Sequence, residues 1–179
     1  MKYKVTLIFL LINLVVHWIM QMLPYSTFLD VRDSFCFNTN NNPLTSITYS
    51  FFHKDDTHLY SNILAMVFFG VILEKILDAK NMVFLYIIGA IGGAIFFAIF
   101  CDQKSLLIGA SAACFAFMSA SLVLDFGALF FVLFIFFFHK DFWALVENPF
   151  YSIPTSVGHL GGLIFGAIYA FTIKIYNHD

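Results

Sequence analysis

Apolar runs long enough to cross a bilayer recur along the chain, separated by short polar breaks and one long one. A helix of about 20 residues covers about 30 Å, roughly the thickness of membrane hydrocarbon. On that measure the pattern predicts spans over residues 5–23, 57–77, 82–101, 108–124, 126–138 and 157–176. The fifth is short and has to tilt or borrow from its flanks. Residues 24–56 form the long polar segment, with Pro24, the run NTNNNP at 38–43, and Asp30, Arg32 and Asp33. A connection beyond about 15 residues is uncommon unless it does something or carries structure of its own. The second half of this one, LTSITYSFFHKDD, is amphiphilic and aromatic, which predicts a segment lying in the membrane interface. The expected fold is an all-α membrane protein: one domain over residues 1–179, a six-helix bundle with an interfacial loop after its first helix.

Composition supports this. Hydrophobic residues make up 61% of the chain, charged residues 11%, and the mean hydropathy is +0.88. Soluble domains carry about 25% charged residues. A net charge of −2 gives no reason to expect nucleic acid. The first run follows Lys2 and Lys4, but it is span-length and lacks an A-x-A-like cleavage site, so it is expected to be an uncleaved helix. Six spans put both termini on one face. With the N-terminus inside, Lys2, Lys4, Lys75, Lys80 and Lys174 are cytoplasmic, against Arg32, Lys54, Lys104 and Lys140 outside. The margin is narrow, and the lysines opening the first helix favour the N-in orientation. Cys36, Cys101 and Cys114 show no C-x-x-C spacing. Cys36 and Cys101 fall near one membrane face and could pair, although buried free thiols are the preferred reading.

Three polar knots interrupt the apolar spans. His58 and Asn62 sit four apart at the start of the second, so they share a helix face. They could be interhelical glue, or donors to a developing oxyanion. Ser111 follows Gly109 in IGASAACFA at the head of the fourth. Its small neighbours fit plain helix packing, and a nucleophilic role requires a base within reach. His159 heads the sixth span, followed by Gly162-x-x-x-Gly166, a motif that lets helices approach closely. It is a candidate base for Ser111, though a structural histidine fits equally. In this topology all three knots lie at one level near the outer face. No acid is placed to complete a triad: Glu74 is about 24 Å along the helix from His58, and Asp125 is similarly far from Ser111. Catalysis would run on a Ser–His dyad. His53 reads as an interfacial residue, a possible hydrogen-bond partner in the long loop, while His17 and His139 have no partner at a telling spacing. H-E-x-x-H is absent, so neither a metal nor a cofactor is expected.

These residues resemble the rhomboid family of intramembrane serine proteases. The likeness rests on H-x-x-x-N at His58 and Asn62, G-x-S at Gly109 to Ser111, and His159 with Gly162 and Gly166, in that order and on those helices. It covers most of the chain from about Leu44. The resemblance implies Ser111 as nucleophile and His159 as general base and then acid. It implies an oxyanion held by His58, Asn62 and the Ser111 N–H, and transmembrane protein substrates within the lipid bilayer. It also implies a multi-pass protein of a cell membrane, a bacterial inner membrane on the family's six-span core, with both termini cytoplasmic. Three positions depart from the family pattern: Leu44-Thr45 replaces a Trp-Arg pair, Ala112 a glycine, and Phe115 an aromatic that is often tyrosine. Phe115 could still stack on His159. The alternative is a non-catalytic rhomboid-like protein that binds transmembrane helices.

Overall fold

The computed structural model describes residues 3–102, 104–125 and 153–176. Among these the regular structure is helical, with one isolated β-bridge in the connecting segments. The elements are α1 (Lys4–Met22), α2 (Tyr25–Phe35), α3 (Thr45–Thr48) running into a 3-10 turn (Tyr49–Phe51), α4 (Asp56–Leu73), α5 (Ala79–Phe100), α6 (Ser111–Leu124) and α7 (Ile153–Tyr176). Helices α1, α4 and α5 and residues Ser156–Tyr176 of α7 are long and apolar enough to cross a membrane. The span expected over 126–138 lies outside the described residues.

One expectation needs correction. The helix predicted from residue 108 starts at Ser111, because Gly109 takes φ 111°, a left-handed conformation that ends any helical run. At 14 residues, α6 is only about 21 Å long, shorter than the hydrocarbon is thick. The segment 24–56 carries structure of its own, namely α2, α3 and the 3-10 turn. Phe28 and Val31 of α2 pack against a small core of Met20, Cys36, Tyr49, Phe52, Ala90 and Phe97. Leu44 is exposed, and the buried Thr45 donates its hydroxyl within the segment, to the Asn42 carbonyl (2.6 Å), so neither forms a polar tie to the bundle. Other groups do that. Tyr49 donates to the Ala90 carbonyl (2.8 Å), Tyr86 to the Ser50 carbonyl (3.2 Å), and Asn38 to the Ser105 carbonyl (3.0 Å). Phe37 and Leu107 exchange backbone hydrogen bonds. Cys36 and Cys101 are both free thiols.

The centre of the bundle is packed through glycine. Gly89, Gly92 and Gly93 of α5 leave room for Ala116, Phe165 and Ala112 respectively, each of which a Cβ would strike. The methyl of Ala112 is thus accommodated by Gly93. Across α6 and α7, Gly162 lies directly against the Ala112 carbonyl, and a Cβ on Gly166 would come within 2.5 Å of the Ala116 Cα. This is the close approach that the Gly162-x-x-x-Gly166 spacing predicts. Helix α1 packs on the outside, burying Val5, Phe9, Asn13, His17 and Met20 at helical spacing while Leu7, Leu11, Val15 and Trp18 face outward.

The far end of the bundle is tied by polar contacts. Glu74, just past α4, accepts from Val5 N (2.8 Å), Thr6 N (3.1 Å) and Thr6 Oγ1 (2.6 Å), so it caps the open first turn of α1. Tyr169 donates to Asn81 Oδ1 (2.7 Å). Replacing Glu74 by Ala should cost about 1–2 kcal/mol of stability through the lost cap. Replacing Gly162 by Val should cost about 1–3 kcal/mol by overpacking. Unfolding transitions in detergent micelles measure both.

Candidate active site

Helix α6 starts where it does because of two residues before it. Gly109 turns the chain, and its N–H donates to the Tyr49 carbonyl (3.1 Å). The Ala110 N–H points to His53 Nε2 at 3.5 Å. Ala110 is the N-cap residue but offers no side-chain cap. The first intrahelical bond runs from Cys114 N to the Ala110 carbonyl, so the N–H groups of Ser111, Ala112 and Ala113 bond no other described residue. These donors sit at the positive end of the helix, an arrangement suited to an anion. Ser111 is the first residue of this turn and is half-buried, and its hydroxyl makes no hydrogen bond to another described residue.

The other candidates converge on the first turns of α6. The His58 imidazole fills the space beside Gly109, where a Cβ would lie 2.6 Å from Nε2. Asn62, one turn further along α4, is buried, and its carbonyl accepts from Cys114 Sγ (3.5 Å). Its side-chain Nδ2 is buried with no partner among the described residues. His159 stacks on Phe115, with ring centroids 4.4 Å apart and 14° between planes. Phe115 is four residues past Ser111 and therefore on the same face of α6. Gly162 and Gly166 on α7 hold that register through their contacts with Ala112 and Ala116. Among the described residues no three His, Cys, Asp or Glu side chains converge as a metal site would require.

A family model described as Rhomboid domain matches residues 40–175. The chain belongs to the rhomboid family. No curated protein matches the sequence. With four helices of spanning length among the described residues, this rhomboid is a multi-pass membrane protein.

One feature of this rhomboid corrects the sequence reading. His17 of α1, read above as a histidine without a partner, meets Asp56 Oδ1 through its Nε2 at 2.7 Å. Its ring lies edge-on to His53 (6.4 Å, 73°), and His53 in turn lies edge-on to His58 (5.2 Å, 68°). His17 is near the end of α1 that lies level with the start of α4. The shared-level reasoning that grouped His58, Ser111 and His159 would have found it too.

His53 lies outside the spans and is held neutral. Burial, then the neighbouring His58 and His17, push its pKa from 6.5 down to about 3. A histidine depressed in the folded state binds fewer protons than it does in the unfolded chain. Its contribution to stability is therefore full above pH 6.5 and is lost as pH falls from there toward about 3, by up to about 1.4 kcal/mol per pH unit. His53→Gln keeps an acceptor for the Ala110 N–H and cannot titrate. Its melting temperature should fall less steeply than wild type between about pH 6.5 and pH 4.

Proposed function

We propose that this rhomboid is an intramembrane serine endopeptidase that cleaves transmembrane segments of other membrane proteins by a Ser111–His159 dyad. The observation that carries the reading is the placement of Ser111 at the uncapped head of α6, with His159 stacked on Phe115 one turn along the same face. His159 accepts the Ser111 proton as the hydroxyl attacks the scissile carbonyl, then returns it to the leaving amine. The negative charge formed on the carbonyl oxygen is met by the Ser111 N–H, the Asn62 amide and the His58 ring. Phe115 sets the plane of the His159 ring, and Gly109 leaves the space that His58 occupies. Water then hydrolyses the acyl-enzyme. No metal or cofactor enters the scheme.

The substrate reaches the site from the bilayer as a helix that unwinds locally to present a peptide bond. The site lies near the outer face of a cell membrane, a bacterial inner membrane on this reading, with both termini cytoplasmic. The short α6 supports access for water, because a helix of 14 residues is shorter than the hydrocarbon is thick.

Purified wild-type protein should react covalently with a fluorophosphonate probe, and Ser111→Ala and His159→Ala should each abolish labelling. Asn62→Ala should label about 100-fold more slowly, in the range seen when an oxyanion donor is removed. A folded wild type that does not label would favour the non-catalytic alternative, a rhomboid that binds transmembrane helices without cutting them.

A further inference from the structure

We propose that His17 and Asp56 are positioning residues of the proteolytic site: joined to one another, they hold His58 in place by tying its helical turn to α1, a helix that contributes no reacting group. The proposal rests on the proteolytic reading above.

Burying an imidazole is costly, and position 17 lies on the buried face of α1, one turn from the buried Asn13. His17 is 2% exposed, whereas the Asp56 side chain it bonds is 71% exposed. A pair with one end in water adds little to stability, and a leucine at position 17 would bury more favourably. The pair is better explained by what it holds. Asp56 is the first residue of α4 and His58 is the third. Asp55 Oδ1 accepts the His58 N–H at 2.7 Å and so caps the same turn. The two consecutive acids therefore divide the work. Asp55 closes the turn that carries His58, and Asp56 fastens that turn to α1.

A second route joins His17 to the same ring. The imidazoles of His17, His53 and His58 stand in series, each edge-on to the next, and the series ends against Gly109, two residues before Ser111. Rotation of a histidine ring about its outer torsion is soft, so its orientation depends on what packs against it. His53 is pinned on one side by the Ala110 N–H and backed on the other by His17. Without the His17 ring, His53 gains room to turn, and His58 loses its backing as well as the tether on its helical turn. A small displacement of an oxyanion donor is enough to slow the chemistry without altering how a small probe first binds.

The test uses the full-length protein and follows fluorophosphonate labelling, resolved into the maximal rate kinact and the half-saturating concentration KI, alongside the melting temperature. His17→Leu should lower kinact about tenfold with KI unchanged. His17→Gln keeps an N–H for Asp56 but not the ring behind His53, and should recover part of the rate. Asp56→Ala, at an exposed position, should resemble His17→Leu and serves in its place should that variant not fold. The double variant His17→Leu/Asp56→Ala should be no slower than the slower single, because His17→Leu already removes the bond that Asp56→Ala removes. Glu74→Ala, at the far end of α4, should lower the melting temperature without changing kinact. If wild type labels and both His17→Leu and Asp56→Ala label as fast, the proposal is overturned and the protease reading stands. It is equally overturned if His17→Gln is as slow as His17→Leu and both losses follow melting temperature. A wild type that does not label removes the protease reading and this proposal together.

Discussion

The contact on which the rest depends is backbone against backbone: Gly162 of α7 lying on the Ala112 carbonyl of α6. Inside a bilayer, helices gain little from exchanging lipid for one another, so association relies on close packing. Only an absent side chain permits this approach, and the approach fixes what else can meet. Gly166 falls on Ala116, one turn further on, and His159, one turn earlier, falls on Phe115. The glycines of α5 close the third side by admitting Ala112 and Ala116. The site is a by-product of this packing register, since a shift of one residue on either helix would carry His159 off the face that Ser111 shares.

The two ends of the bundle use polar groups differently. At the end holding Glu74, a carboxylate satisfies the orphan N–H groups of α1 and nothing more is required of it. At the other end, the first turn of α6 is left without a side-chain cap, while the N–H groups just before it are taken up by Tyr49 and His53. Keeping the preceding donors bonded and the following three open is what a site for transient negative charge needs. The segment between α1 and α4 serves this arrangement. Tyr49 anchors it to α5, and its backbone and His53 fix the turn before Ser111.

The familial departures fit the same logic. Where the resemblance would put a charged anchor at Thr45, the segment is secured by Asn38, Tyr49, Tyr86 and the Phe37–Leu107 bridge. The extra methyl of Ala112 is met by Gly93 across the interface. Phe115 keeps the flat surface on which His159 stacks, and the stack needs no hydroxyl.

Much of this was legible in the linear chain. The spans from residues 5, 57, 82 and 157 follow from runs of apolar residues, because the bilayer imposes one length on every helix that crosses it. Ser111, His58, Asn62 and His159 stood out because polar groups in such runs need a reason. Gly162-x-x-x-Gly166 announced a close neighbour by spacing alone. What the chain left undecided were interactions between segments with no periodic relation. The helical content of residues 25–51 depends on contacts with α5 and with the loop before α6, and a polar, asparagine-rich stretch carries no strong repeat to reveal it. The start of α6 turned on one dihedral at Gly109, which an apolar pattern does not encode. The pairing of His17 with Asp56 joins residues 39 apart on two helices. Only the packing of α1 beside α4 brings them within a hydrogen bond, because a side chain's partner across a bundle is chosen by helix rotation and depth, which tertiary contacts set.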